Sequence, residues 1–168
     1  KEASINEQID RMRHSATRSL LERDDVLIVA SVSCIYGLGS VEAYSKMTIT
    51  LKKNNEYSRD DLIRTFITLQ YKRNDQNFFR GTFRVRGENL EIFPSHLEDR
   101  AWRISFDLNK LEKIEEFDPL TGDKTNEYST IKIYANSHYI TPKPTMEQAI
   151  IQIKSELAET LKKHRADN

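Results

Sequence analysis

Arginine is the residue type whose placement in this sequence suggests the most chemistry. Residues 59–86 contain seven basic side chains, all but one of them arginine, against three acids. The following segment, residues 88–127, contains five basic side chains against eleven acids. A guanidinium group makes planar, bidentate contacts with a carboxylate or a phosphate. The arginine-rich segment is therefore a candidate binding surface for a partner that carries either group.

The spacing of these arginines predicts a cluster on one face of a β-sheet. Arg84 and Arg86 alternate with apolar residues along a predicted strand, so both side chains should project to the same side. Arg103 should join them from a neighbouring strand, and Arg73 lies in the segment leading into the first strand. We expect Arg84 and Arg86 to be exposed, with the aromatic residues of these strands on the opposite face. Because Glu91 shares the arginine side, the mixture of charges favours a protein partner over phosphate.

Other residues with chemical potential do not assemble into a recognisable site. The four histidines lack metal-ligand spacing, and a single cysteine argues against zinc. Ser31, Ser33 and Cys34 follow a predicted strand, but no base is fixed beside them. No P-loop with a Gly-Lys-Ser/Thr ending is present, and the Gly-Leu-Gly of residues 37–39 alone is weak evidence for nucleotide binding. The sequence predicts no catalytic residue, no metal and no cofactor within this chain.

The composition is that of a soluble globular chain. The 168 residues carry 26 basic and 26 acidic side chains, and 31% are charged while 38% are hydrophobic. This balance argues against wholesale disorder and discourages the idea of a strong nucleic-acid binder. No apolar run approaches the roughly 20 residues that a membrane span needs. A single cysteine suggests a reducing compartment, so we expect a cytoplasmic domain without a membrane segment.

The first 46 residues have the pattern of a piece of an α/β domain. Ser4 and Glu7 have capping-box spacing, and a helix is predicted from there to about Leu21. Its apolar face should comprise Ile5, Ile9, Met12, Ala16 and Leu20. Residues 26–30 form a β-branched, apolar run, which is typical of a strand buried on both faces in a parallel sheet. Such a strand needs neighbours, and no second run of this kind lies nearby.

Residues 47–134 have a different pattern, with one amphipathic helix and several alternating segments, and this pattern predicts an α+β module. Ser58 should cap a helix, with a buried stripe of Leu62, Ile63, Phe66, Ile67 and Leu69. Alternating segments follow, separated by turn signals at residues 87–89 and 117–122. We predict an antiparallel sheet with one apolar face that this helix covers and one face exposed to solvent.

Residues 135–168 should return to the α/β domain and end in a helix capped by Thr145. The side chains expected to face inward on this helix are Met146, Ala149, Ile150, Ile153, Leu157 and Leu161. The N- and C-terminal helices could pair through their apolar faces or drive self-association. The sequence leaves that choice, and the oligomeric state, open.

Several longer stretches are more specific than these patterns. They include Arg-His-Ser-Ala-Thr at residues 13–17, the run at 25–39, the segments 71–75, 80–87 and 91–94, and Ser-His-Tyr-Ile-Thr at 137–141. Together they resemble the UvrB family, the damage-verifying subunits of the bacterial excinuclease ABC. The resemblance spans essentially the whole chain. It implies the second, UvrA-binding domain of that family, flanked by pieces of its helicase-like ATPase domain.

The resemblance also implies roles for individual residues. It carries the UvrA contact in nucleotide excision repair onto Arg73, Arg84, Arg86 and Arg103. It carries positions near the DNA path onto Arg13, Ser31, Ser33 and Tyr139. Stacking on a base and buried packing are both open for Tyr139.

The family's P-loop, later helicase motifs and DNA-gripping hairpin have no match here. We therefore expect a fragment that neither hydrolyses ATP nor cuts DNA. ATP, Mg, UvrC and damaged DNA would be engaged only through a longer bacterial parent. Two alternatives stay open: the related UvrA-binding module of the transcription-repair coupling factor, and a direct DNA-binding domain, whose affinity would fall steeply with salt. Ser105, where the family commonly has an acid, leaves the local charge pairing undetermined.

Overall fold

A computed structural model describes residues 6–35, 41–139 and 143–166. The helices are α1 (Glu7–Glu22), α2 (Val41–Lys46), α3 (Arg59–Thr68) and α4 (Lys143–Ala166), with a 3-10 turn at Val32–Ile35. The strands are β1 (Thr48–Lys52), β2 (Lys72–Arg73), β3 (Thr82–Arg86), β4 (Asn89–Ile92), β5 (Ala101–Asp107), β6 (Lys110–Phe117), β7 (Lys124–Glu127) and β8 (Thr130–Tyr134).

The strands form two sheets. The larger has the order β2-β3-β4-β5-β6-β7 and is antiparallel except for the parallel pair β2 and β3. The smaller pairs β1 with β8 in antiparallel register. Helices precede and follow this mostly antiparallel arrangement, so the predicted α+β class is confirmed.

The core lies where α3 covers the apolar face of the larger sheet. Leu62 and Phe66 of α3 belong to the same buried cluster as the sheet residues Phe83, Leu90, Ile92, Trp102, Ile104 and Ile114. Ser58 caps α3 as predicted, since its hydroxyl accepts from the Asp61 amide at 3.4 Å. Ile67 is 53% exposed, so its place in the predicted stripe is wrong. It lies five residues after Leu62, which turns it well away from the buried side of a 3.6-residue helix.

The two-residue turn between β3 and β4 sets the register of the arginine-bearing strands. Arg86 pairs with Asn89 across this turn, and Gly87 takes a φ of 58°. Residues with a side chain seldom adopt that left-handed conformation, whereas glycine does so freely. The turn predicted at residues 87–89 is therefore confirmed, and it places β3 and β4 in antiparallel register.

The N-terminal flank departs from two predictions. Asn6 caps α1 by accepting from the Ile9 amide at 2.8 Å, while Ser4 lies outside the described residues. Residues 26–30 form no strand, and Leu27 and Val29 are 90% and 92% exposed. The prediction of a buried strand is wrong because no described strand pairs with this run. Ile28 and Val29 instead line an open apolar groove beside Met12 and Leu20 of α1.

The apolar faces of both flanking helices are exposed. On α1, Ile9, Met12 and Leu20 are exposed while His14 is buried. The inward packing predicted for α4 is wrong, because its described side chains are all exposed and no other described element covers them. The large apolar ones are Met146, Ile150, Ile151, Ile153, Leu157 and Leu161. Among the described residues, neither helix covers the other's apolar face.

No described helix combines the length and apolar character that crossing a membrane requires.

Candidate protein-interaction face

The sheet face opposite α3 carries a row of alternating charges. Arg84, Glu91, Arg103 and Glu115 are register partners on the four neighbouring strands β3, β4, β5 and β6. Lys124 of β7 extends the row, with its Nζ 3.2 Å from Glu115 Oε1. We call these five residues the charge ladder. From β3 to β6 the alternation follows from strand register, because directly opposed side chains on one face are neighbours. Lys124 joins it through the reach of its side chain, since the register partner of Glu115 on β7 is Glu127.

Glu91 is the centre of the ladder. Its Oε2 lies 2.5 Å from Arg84 Nε, and its Oε1 lies 2.7 Å from Arg103 Nε. The Glu91 side chain is 2% exposed and the Arg84 side chain 10%. A buried charge is tolerated only when it is paired and hydrogen-bonded, and here each carboxylate oxygen has its own guanidinium partner. Both arginines are therefore fixed in position by one carboxylate.

Aromatic rings cover the two arginines of the ladder. Arg84 Cζ lies 4.2 Å from the centroid of the Phe78 ring, and Arg103 Cζ lies 4.4 Å from that of Phe117. The two rings stack on each other at 6.1 Å with an interplanar angle of 4°. Such geometry allows cation–π attraction in addition to the ion pairs.

The expectation that Arg84 would be exposed is therefore wrong. The aromatic residues of β3 and β5, which are Phe83, Trp102 and Phe106, do lie in the core on the α3 side as expected. Phe93 and Phe117 lie on the arginine side because each is two residues after a ladder acid, Glu91 and Glu115. Period-two alternation along the strands could have revealed this. The contribution of Phe78 comes from the loop before β3, and no local pattern indicates it.

Arg86 and Arg73 are the accessible members of the predicted set. Arg86 is exposed at the end of β3, and no described residue forms an ion pair with it. Arg73 is exposed and donates through Nε to Asp75 Oδ2 at 3.0 Å. Asp75 also accepts from the Val85 amide at 3.0 Å, so it ties the Arg73 loop to β3. These hydrogen bonds, from Arg73 first and then from Val85, hold the pKa of Asp75 below its usual value. The register pairs Arg73 with Phe83, whose ring lies in the core under α3, so Arg73 lies at the β2 edge of the sheet and not on the ladder side. We call Arg84, Arg86 and Arg103, together with Arg73 at this edge, the arginine face.

Three of the four flank residues linked to DNA by resemblance meet where α1 contacts the 3-10 turn. Arg13 Nη2 donates to the Cys34 carbonyl at 3.3 Å, which brings α1 to the segment that contains Ser31 and Ser33. The hydroxyls of those two serines are 3.0 Å apart, and both residues are exposed. Tyr139 is 60% exposed, so of the two alternatives left open for it, buried packing is wrong.

Three potential metal ligands do come together, although the sequence shows no metal spacing. Asp10, His14 and His138 each place one ligand atom within 4.8 Å of the others. Asp10 is already paired with the Arg80 guanidinium at 2.9 Å, and His138 Nε2 contacts the Thr17 hydroxyl at 3.0 Å. A neighbouring guanidinium repels a cation, so we assign this group a packing role between α1 and the module.

The fold and the arginine face define a protein-interaction module built on an α+β scaffold. Arg86 is exposed on a sheet face whose inner charges are already paired, and Arg73 is exposed at the neighbouring edge. The family model described as the UvrB interaction domain matches residues 49–139, more than half of the chain. The chain therefore belongs to the UvrB interaction domain family, and the resemblance drawn from the sequence is confirmed. Membership supports a UvrB-type role in excision repair.

Proposed function

We propose that the arginine face docks onto UvrA during damage recognition in nucleotide excision repair. The observation that carries this proposal is Arg86, an exposed guanidinium without an acidic partner among the described residues, beside a ladder that is internally neutralised. Family membership supports UvrA as the partner. An acidic patch on UvrA would satisfy Arg86 at little cost, because this side chain breaks no internal ion pair on binding.

The four arginines divide into two roles in this proposal. Arg86 and Arg73 contact UvrA directly, since both are exposed. Arg84 and Arg103 have a positioning role, because their guanidinium groups are already paired with Glu91 and covered by the rings of Phe78 and Phe117. A preorganised face of this kind lowers the ordering cost of association.

A titration of UvrA against charge-reversal variants tests the proposal. Arg86→Glu should weaken binding about tenfold or more, because it replaces an attractive contact with a like-charge contact. Arg64→Glu is the matched control, since Arg64 lies on α3, away from this face, and its side chain is 81% exposed. It should change the affinity less than about twofold. Equal effects of the two reversals, or none from Arg86→Glu, would exclude this face.

The remaining contributions belong to a longer UvrB-type parent. In this proposal, Arg13, Ser31, Ser33 and Tyr139 lie near DNA there, and UvrC recruitment and ATP- and Mg-dependent loading use segments beyond the interaction domain. The exposed ring of Tyr139 supports a stacking role. Fluorescence anisotropy with single-stranded and damaged duplex DNA at two salt concentrations tests direct binding by this chain, and we expect weak binding. If the parent protein were instead a transcription-repair coupling factor, the same face would dock onto UvrA. Only the identity of the parent protein would differ.

A further inference from the structure

Helix α1 packs against the interaction module through its polar side, and Arg80 is the centre of this contact. Arg80 Nη1 donates to Asp10 Oδ2 at 2.9 Å and to the Ser95 carbonyl at 2.8 Å. Its Nε lies 3.4 Å from Glu7 Oε1, and its side chain is 13% exposed. One guanidinium therefore joins two acids of α1 to the connection between β4 and β5.

Further contacts of α1 reach the same connection and the end of the module. Arg11 Nη2 lies 3.0 Å from Glu98 Oε2, and Arg18 contacts the ring of His96. On the other side, the rings of His14 and His138 stack with centroids 4.1 Å apart. The helix is thus held at several points by side chains that sequence patterning assigned to its solvent side.

Arg80 belongs to the chain segment that also carries Phe78. It is two residues after Phe78, the ring that covers Arg84, and two residues before Thr82, where β3 begins. The chain between them is fixed, since the Gly81 amide donates to the Phe93 carbonyl at 2.9 Å and the Thr82 hydroxyl donates to the Phe79 carbonyl at 2.6 Å. This hydrogen-bonded segment therefore carries both the Arg80 side chain that α1 holds and the Phe78 ring that covers Arg84.

We propose that α1 acts as a clamp on the arginine face, with Arg80 as a positioning residue that fixes Phe78 over Arg84. Arg80 also donates to the Ser95 carbonyl in the connection between β4 and β5, the strands that carry Glu91 and Arg103. Docked α1 thereby sets the geometry of the surface that meets the partner. This inference rests on the proposed UvrA-binding function for its consequence, while its structural part is independent of any partner.

The structural part is tested by NMR of the Arg84 and Arg103 Nε–H groups, which donate to Glu91 in the free chain. Arg80→Gln and Asp10→Asn should each shift these resonances and speed their exchange with solvent. The double variant should behave like Arg80→Gln alone, because both substitutions remove the same pair. Arg100→Gln is the control, since Arg100 directly precedes β5 and its ion pairs within the described part of the chain are with Asp99 and Asp118. Resonances that stay at their wild-type positions in Arg80→Gln would overturn the clamp.

The consequence for binding is tested with UvrA on the same variants. Arg80→Gln should weaken the affinity about three- to tenfold, as expected for losing one partly buried, charge-assisted contact, and Arg80→Lys should restore part of it. If Arg80→Gln unfolds the chain, Asp10→Asn tests the pair from α1 alone. Shifted arginine resonances with unchanged UvrA affinity would overturn the positioning role while the binding face stands. Failure of Arg86→Glu to weaken binding would instead reject the proposed face and leave the NMR test of the clamp intact.

Discussion

At the scale of single residues, Glu91 organises the candidate surface. It is almost fully buried between two guanidinium groups, and each of its oxygens accepts from one of them. Such an ion pair adds little net stability relative to apolar packing, but breaking it leaves uncompensated charge. Glu91 is therefore a residue whose loss should affect the fold as well as binding.

Replacing Glu91 should destabilise the module because Arg84 then lies buried without its carboxylate. We expect Glu91→Ala to lower the free energy of unfolding by about 3 kcal/mol, and Glu91→Gln to cost less because it retains one acceptor oxygen. Urea unfolding followed by the fluorescence of Trp102 measures both. Glu112→Ala, at an exposed position on β6, is the control. A loss no greater than the control's would mean that Glu91 is dispensable.

Leu108 is strained in the turn between β5 and β6. It has a φ of 55°, and its side chain is 87% exposed, so no packing compensates for the left-handed backbone. Leu108→Gly should raise the free energy of unfolding by about 1 kcal/mol, since glycine adopts this conformation without a Cβ clash. Urea unfolding followed by Trp102 fluorescence measures this change. A lower free energy of unfolding for Leu108→Gly than for the wild type would contradict backbone strain at Leu108.

At the scale of elements, α1 meets the module at a group of buried histidines. Burial lowers the pKa of His14 to about 3, assisted by the adjacent His138, while Asp10 acts in the opposite direction. Burial, and then the Arg18 guanidinium, lowers the pKa of His96 to about 3 as well. Arg13 and Arg80 also face His14 and oppose its protonation. Neutral imidazoles are therefore part of how α1 docks.

Acid should weaken this packing. Because the folded-state pKa values lie below the unfolded value of about 6.5, unfolding takes up protons, and stability falls as the pH drops from about 6.5 toward 3. Urea unfolding at pH 7, 6 and 5 should show this fall. His14→Gln should flatten it, whereas His164→Gln, on exposed α4, should leave it unchanged. Equal slopes for wild type and His14→Gln would contradict the burial of neutral His14.

At the scale of the whole molecule, the features predictable from sequence are those governed by local rules. The Ser58 cap, the turn at Gly87 and the shared side of Arg84 and Arg86 follow from capping, left-handed backbone and strand alternation. The burial of Arg84 does not, because Phe78 and Glu91 reach it from other segments. The division of the chain at residues 46/47 and 134/135 stays a prediction.

The orientation of α1 shows why the rest could not be predicted. Its apolar residues predict a buried face, yet Asp10 and His14 make the packing contacts while Met12 is 57% exposed. Helix periodicity identifies two sides of a helix but does not say which side a given partner takes. That choice depends on Arg80 and His138, which lie about 70 and 120 residues further along the chain.

The central claim is that UvrA binds the arginine face, and a hydrogen-exchange footprint of the complex tests it most directly. In the presence of UvrA, amides around Arg73 and in the β3–β4 hairpin that carries Arg86 should exchange more slowly, because the docked partner excludes water and suppresses local opening there. Amides of α3, on the opposite side of the sheet, should keep their rates. Protection confined to α3, or to the exposed apolar side of α1, would contradict the account.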